Sequence, residues 1–177
     1  VVAGASGLIG RALVSALEKS GKRVVRLVRR APGAGEARWD PAAGELAPRV
    51  LAGATAVVNL SGENIGRRWT APRREAIRSS RIEATRTLVT ALRAASPRPA
   101  VLVNASAVGF YGDRCEEIVD EHSTAGTGFL AEVCAAWETE ARAAEALGVR
   151  VAMLRFGTVL TRDGGALAKM LPLFRLG

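Results

Sequence analysis

Three glycines near the start of the chain have the spacing of an anion-binding turn. Within VVAGASGLIG an apolar strand runs into an amphipathic helix. Glycines let the backbone turn tightly and approach a pyrophosphate, while free N–H groups of the first helical turn face the anion. A purely structural turn could use the same glycines, but a second strand after the helix completes a βαβ unit. The pattern predicts a dinucleotide site formed by Gly4, Ser6, Gly7, Leu8, Ile9 and Gly10.

The residues after the second predicted strand indicate which dinucleotide would bind. A fold that holds NAD usually has an acidic residue there, on the ribose 2′-hydroxyl. This chain instead has Arg29 and Arg30, about 20 residues beyond the glycines. Two guanidinium groups suit a 2′-phosphate, so NADP(H) is the expected cofactor and NAD(H) the less favoured one. The alternative is that both are ordinary surface arginines in an arginine-rich chain.

Metal and triad chemistry have little support in the sequence. Cys115 and Cys134 form no CxxC motif, and His122, the single histidine, lies in a polar, acidic stretch. A zinc site needs more ligands than these, so we expect no metal. Two unpaired cysteines suit a reducing cytosol, which predicts a cytoplasmic protein.

The composition argues against nucleic acid and membrane as partners. The 177 residues carry a net charge of +8, but the basic residues are spread along the chain and aromatic residues make up only 5%. That is too few for a base-stacking platform. No apolar run is long enough to cross a bilayer. We therefore expect a small-molecule substrate, with the oligomeric state left open.

Strands and helices alternate along the whole chain. Glycines suited to left-handed helix ends, Gly21, Gly53 and Gly148, each precede a β-branched run. Near-continuous apolar runs indicate strands that are covered on both faces. Strands are predicted over 1–3, 23–29, 36–39, 55–60, 100–106 and 149–155, and helices over 7–20, 45–52, 71–95 and 127–147.

These elements predict one α/β domain over residues 1–177. The expected fold is a Rossmann-like, doubly wound parallel sheet in the order 3-2-1-4-5-6, truncated at both ends. Ligands of such sheets lie beyond the carboxyl ends of the strands. Small and hydroxylic residues cluster at three of these ends, in NLSGEN, NASAVGFYG and LRFGTVL.

Several motifs together resemble one protein family. GASGLIG, NLSGENI, SAVGFYG and RFGTVL are similar to motifs of extended short-chain dehydrogenases/reductases. The longer runs WDP, NLSGENIGRRW, SSRIEATRTLV, GFLAEVCAAWE and LRFGTVLTRDGGALAKMLPLFRLG resemble its atypical branch in the NAD-dependent epimerase/dehydratase group, whose members are called epimerase family proteins. The resemblance covers essentially the whole chain, and in that family the chain continues past Gly177.

The resemblance implies further site residues. It adds the arginine of SSRIE to the cofactor contacts, together with residues at the ends of the fourth, fifth and sixth strands. It also places the hydroxyl of Ser106 where the superfamily bonds a substrate oxygen. The cofactor residues implied in this way are Leu60, Ser61, Gly62, Arg81, Ser106 and Val159.

The superfamily's Tyr-x-x-x-Lys pair is missing. Leu130 and Cys134 stand where that tyrosine and lysine are expected. Tyr111, the only tyrosine, is either a substitute acid or a packed loop aromatic, so Ser106 and Tyr111 are the catalytic candidates. The sequence predicts an NADP(H)-binding oxidoreductase or epimerase acting on an unknown small molecule. The alternative is a non-catalytic, redox-sensing or regulatory protein.

Overall fold

Six short parallel strands form the centre of the molecule. The computed structural model describes residues 1–175, and in it the strands lie in the order β3-β2-β1-β4-β5-β6, as the sequence predicts. Every neighbouring pair is parallel. The strands are β1 Val2–Ala3, β2 Arg26–Val28, β3 Glu36–Arg38, β4 Ala56–Asn59, β5 Val101–Ala107 and β6 Arg150–Phe156.

Helices connect the strands and cover the sheet. The long second helix begins at a threonine cap, where Thr70 accepts a hydrogen bond from the N–H of Arg73, and it has proline in its first turn. Gly21, Gly53 and Gly148 have φ values of 70°, 73° and 76°, which confirms their left-handed conformation. The helices are α1 Leu8–Lys19, α2 Ala71–Ala94, α3 Phe129–Arg142 and α4 Gly165–Phe174.

The core lies mainly between the sheet and the pair α2 and α3. Val57 and Leu102 from adjacent strands are fully buried, as are Leu88 and Leu92 from α2. A smaller cluster contains Val2 of β1 and Val14 of α1. Burial on both faces explains why the central strands are so apolar.

Two predicted helices differ from the structure. The prediction of a helix over 45–52 is wrong: Glu45 pairs with Asp40 in an antiparallel bridge, and only Pro48–Val50 forms a single 3₁₀ turn. The Asp40 carboxylate accepts hydrogen bonds from the N–H groups of Ala42 and Ala43, which fixes a turn before any helix can start. The predicted helix 127–147 ends as α3 at Arg142, and a separate 3₁₀ turn covers Glu145–Leu147.

Helix α4 is absent from the sequence prediction. It starts after two adjacent glycines, Gly164 and Gly165, and contains Pro172. Both residue types argue against a helix when only local preferences are considered. Within residues 1–175, no helix combines the length and apolar character needed to span a membrane.

Candidate functional site

The glycine turn between β1 and α1 is shaped by close backbone contacts. Gly4 has φ +77°, and a Cβ atom on it would lie 2.6 Å from the carbonyl carbon of Leu60. A Cβ atom on Gly10 would overlap the carbonyl oxygen of Gly4. Both glycines are therefore required by the packing of the turn against β4 and α1.

Gly7 differs from the other two glycines. It is the N-cap of α1 with φ −70° and ψ 173°, a conformation open to any residue. A Cβ atom there would meet only the carbonyl oxygen of Gly4, at 3.3 Å. No side chain caps the helix, so its first N–H groups remain available to an anion. Because Gly7 has no side chain, the space in front of the first N–H groups of α1 stays open.

A cleft of ≈ 780 Å³ lies beside this turn, which we call the larger cleft. Its size is in the range of ligand pockets. It is bounded by the turn, the end of β2, the segment after β4 and one face of α2. Of the sequence-predicted residues, those that line it are Gly4, Ser6, Gly7, Arg29, Arg30, Leu60, Ser61 and Gly62.

Three other predicted residues line a separate cavity of ≈ 490 Å³. Leu8 and Ile9, from the first turn of α1, meet Val159 there, together with Arg11 and Asp163. The chain after β6 passes close to α1, because a Cβ atom on Gly164 would lie 3.2 Å from a methyl group of Leu8. The structure thus places eleven of the predicted cofactor residues in the linings of two cavities, whereas Gly10, Arg81 and Ser106 line neither.

Arg81 supports the segment that follows β4. Its Nη1 donates hydrogen bonds to the carbonyl oxygens of Glu63 (3.2 Å) and Ile77 (2.9 Å). The guanidinium carbon of Arg81 lies 5.2 Å from the centre of the Trp137 ring. A Cβ atom on Gly62 would lie 3.0 Å from the same guanidinium carbon. Burial lowers the pKa of Arg81. The arginine predicted to reach the cofactor thus lies directly behind Gly62.

Ser61 has an unused hydroxyl at the larger cleft. Its Oγ is buried and has no hydrogen-bond partner among residues 1–175. Its backbone N–H donates to Oδ1 of Asn59 at 3.1 Å, which fixes the start of the segment. Because unpaired buried polar atoms are rare in proteins, this hydroxyl is suited to a ligand.

A buried polar network lies beneath this segment. The Asn59 amide donates to Thr85 Oγ1 at 2.9 Å and to Asn104 Oδ1 at 2.7 Å. Trp137 Nε1 also donates to Thr85 Oγ1, at 2.9 Å, and Thr85 donates to the carbonyl oxygen of Arg81 at 2.8 Å. The network ties β4, β5, α2 and α3 together. Sequence analysis missed it, although asparagine at matching places in two apolar strands was a usable signal.

Ser106 and Tyr111 belong to a second network around Glu138. Ser106, 3% exposed, donates to Glu138 Oε1 at 2.7 Å. Arg155 donates to both carboxylate oxygens, at 2.8 and 2.9 Å, and its Nη1 donates to the Tyr111 hydroxyl at 2.9 Å. The Arg155 guanidinium also lies 3.6 Å from the centre of the Phe110 ring.

The negative charge of Glu138 in this second network is paired with the positive charge of Arg155. Burial alone would raise the pKa of Glu138, but hydrogen bonds from Arg155 and Ser106 outweigh it, and the pKa is lowered. The carboxylate is therefore ionised at neutral pH and acts as an acceptor. The hydrogen bond to Glu138 raises the pKa of Arg155. Glu138 and Arg155 were not predicted from the sequence, because the partners are far apart in the chain.

The two catalytic candidates are thus close together but lie outside both cavity linings. The Ser106 proton is donated to Glu138, which leaves its oxygen lone pairs for another group. Tyr111 is 9% exposed, and its hydroxyl already accepts a bond from Arg155. Their catalytic roles stay predictions.

Cys134, which the family resemblance aligns with the missing lysine, carries no positive charge. A Cβ atom on Gly109 would lie 4.0 Å from its Sγ, next to Leu130. Burial raises the pKa of Cys134, so the thiol is protonated at neutral pH and is a poor nucleophile. Among the described residues, no group of three His, Cys, Asp or Glu side chains is placed to hold a metal ion.

The sheet order, the glycine turn and the cleft beside it define a Rossmann-like NAD(P)-binding fold of the short-chain dehydrogenase/reductase type. The model of the NAD dependent epimerase/dehydratase family matches residues 1–175, and the chain belongs to this family.

Relatives and solved structures agree with this placement. The chain is 48% identical to epimerase family protein Mb2239 of Mycobacterium bovis, over 99% of this chain and 58% of that protein. The structure of human epimerase family protein SDR39U1 with NADPH has a TM-score of 0.85 and 34% identity, covering 99% of this chain and 59% of that one. A nucleoside-diphosphate sugar epimerase from Corynebacterium glutamicum has a TM-score of 0.87 and 41% identity, covering 99% and 37%. The chain therefore spans less than two thirds of each of these proteins.

Proposed function

We propose that this chain binds NADP(H) in the larger cleft, as the nucleotide-binding part of an atypical short-chain dehydrogenase/reductase. The observation that carries the proposal is that the open glycine turn, two arginines and Ser61, whose buried hydroxyl has no partner among residues 1–175, all line one cleft. The human relative solved with NADPH supports the same cofactor.

The residues of the cleft fit the parts of this cofactor. The uncapped start of α1 suits the pyrophosphate, and Arg29 and Arg30 suit the 2′-phosphate. The Ser61 hydroxyl supplies a hydrogen-bonding group on the segment held by Arg81. Bound nicotinamide would supply a centre for hydride transfer.

We further propose that the whole protein is an oxidoreductase or epimerase acting on a small molecule in the cytoplasm. Family membership supports this reaction class, and two free cysteines suit the compartment. The Ser106 oxygen, held by Glu138, would accept a hydrogen bond from a substrate hydroxyl, and Tyr111 is the remaining proton donor.

A specific observation favours a second function, non-catalytic NADP(H) sensing. The hydroxyls of Ser106 and Tyr111 are both engaged by the Glu138–Arg155 pair. The family resemblance also aligns Cys134 with the missing lysine. A binding protein needs none of these groups free. Hydride transfer from NADPH to a panel of small carbonyl compounds, measured by the loss of NADPH absorbance, separates the two functions.

Calorimetric titration of the full-length protein with NADPH tests the binding proposal. We expect saturable binding of one nucleotide per chain, which the variant Gly7→Val loses because the branched side chain fills the space before α1. Ala43→Val, an exposed change outside the cleft lining, is the matched control and should bind normally. Normal binding by Gly7→Val would contradict the proposed site.

A further inference from the structure

An acidic side chain in the larger cleft holds one of the two cofactor arginines. Arg30 Nη1 donates to Glu36 Oε2 at 2.7 Å, and Nη2 donates to Oε1 at 2.6 Å. The N–H of Gly33 donates to the same Oε2 at 2.8 Å. The Glu36 side chain is only 13% exposed, whereas that of Arg30 is 66% exposed. The carboxylate is thus fixed from two sides, and it holds a guanidinium whose Nη1 also donates to the carbonyl oxygen of Ala31 at 2.9 Å.

Glu36 reaches this position through the fold. It is the first residue of β3, opposite Arg26 of β2, and the short loop between the strands brings Arg30 back onto it. Arg30 and Glu36 both line the larger cleft. An acidic residue therefore lines the same cleft, although it comes from the start of β3 and not from the end of β2.

Arg29, the other arginine at the end of β2, is not held by a carboxylate among the described residues. Arg29 lines the cleft and is exposed, and it makes no ion pair within residues 1–175. Arg26, also in the lining, pairs with Glu18. Arg26 and Arg30 each donate to a carboxylate, whereas Arg29 donates to none within residues 1–175.

We propose that Glu36 weakens the preference for NADP(H) over NAD(H) by engaging the guanidinium of Arg30, which leaves Arg29 as the main partner of a 2′-phosphate. This inference rests on the proposed function. The Glu36 carboxylate takes one N–H from each terminal nitrogen and the carbonyl oxygen of Ala31 takes the second N–H of Nη1, so only two of the five donors of Arg30 remain for a phosphate. The pair also cancels one positive charge where the phosphate would bind. Glu36 therefore moderates a preference for NADP(H) that two free arginines would make stronger.

The test is the variant Glu36→Gln in the full-length protein, titrated with NADPH and NADH. Releasing Arg30 should increase the affinity for NADPH roughly threefold to fivefold, which is the scale of one partly screened ion pair. The affinity for NADH should stay unchanged. Glu83→Gln is the matched control, because it removes the same charge from another part of the cleft lining. Thermal melting confirms that each variant is folded.

A double-variant cycle separates release of Arg30 from a general charge effect. In the background Arg30→Gln, the gain from Glu36→Gln should shrink, since no guanidinium is left to release. Adenosine 2′,5′-bisphosphate and AMP serve as probes of the 2′-phosphate without the nicotinamide, and they should show the same pattern.

Three results would overturn the inference about Glu36. They are an unchanged NADPH affinity in Glu36→Gln, an equal gain in Glu83→Gln, and a gain that persists in full without Arg30. Absence of binding of either dinucleotide to the unaltered protein would instead overturn the proposed function.

Discussion

At the residue scale, the chemistry of the cleft depends on which charged groups are free and which are paired. Arg29 is free within residues 1–175, Arg30 is held by Glu36, and Arg155 is held by Glu138. Arginines that look alike in the sequence therefore differ in their ion-pair partners. The sequence predicts Arg29 and Arg30 at the cofactor, and both do line the cleft, but their partner Glu36 could be assigned only once the register of β2 and β3 was known.

The two arginines should contribute unequally to NADPH binding. Arg29→Ala should weaken NADPH binding at least about tenfold, because a charge-assisted hydrogen bond to the 2′-phosphate is lost. Arg30→Ala should weaken NADPH binding less than about threefold, since three of its five N–H donors are already engaged by Glu36 and Ala31. NADH affinity should stay constant in both. Fluorescence titration measures these ratios, with Arg38→Ala on β3, outside the cleft lining, as the control. Equal affinity of the unaltered protein for NADPH and NADH would contradict the assignment.

The buried pair Glu138–Arg155 should be important for stability. Glu138→Ala removes the partner of a guanidinium whose side chain is 13% exposed, and it should lower the free energy of unfolding by about 3–5 kcal/mol. Glu140→Ala, on the same helix, breaks the more exposed pair with Arg86 and should cost about 1 kcal/mol or less. Urea denaturation compares them, and similar losses in both would show that burial of the Glu138 pair contributes little.

The same pair predicts how stability responds to acid. The pKa of Glu138 is lowered in the folded protein, so its contribution is complete above the unfolded-state pKa of about 4.3 and is lost as the pH falls through the lower folded value. Between pH 6 and pH 3, the difference in unfolding free energy between the unaltered protein and Glu138→Gln should therefore shrink. A constant difference over that range would contradict the ionised assignment.

At the element scale, the strand–turn–helix unit at the start of the chain contains glycines with two different roles: Gly4 and Gly10 allow close backbone packing, and Gly7 leaves open space before α1. Its sequence alone predicts the strand, the turn and the helix, because apolar runs and glycine spacing are local signals. Helix α4 and the bridge Asp40–Glu45 escaped prediction because they depend on contacts that override local preference. Within the turn, the sequence does not distinguish glycines needed for packing from the one needed for open space.

That distinction can be measured with two substitutions in the turn. Gly10→Ala places a methyl group against the carbonyl of Gly4 and should cost about 1–3 kcal/mol of stability. Gly7→Val should cost about 1 kcal/mol or less, because its backbone conformation suits any residue, yet abolish NADPH binding. Thermal melting and titration together check both. Loss of stability in Gly7→Val as large as in Gly10→Ala would make Gly7 a packing glycine.

At the scale of the whole molecule, the sheet order brings residues from distant parts of the chain to one edge. The order was predictable from the alternation of strands and helices, since few topologies satisfy parallel pairing with short connections. The Asn59–Asn104 bridge and the Glu138–Arg155 pair were not, because they join side chains 45 and 17 residues apart. The cleft walls were not predictable either, because they bring together residues from Gly4 to Ala84. Family resemblance supplied the position of Arg81, whose role in supporting Gly62 became clear only from the geometry.

The central claim is that the larger cleft beside the glycine turn holds NADP(H). The most direct measurement is a crystal structure of the full-length protein grown with saturating NADPH. The account predicts the pyrophosphate against the first N–H groups of α1 and the 2′-phosphate within hydrogen-bond distance of Arg29, with Arg30 still on Glu36. Nucleotide bound elsewhere, or a cleft that stays empty at saturation, would contradict it.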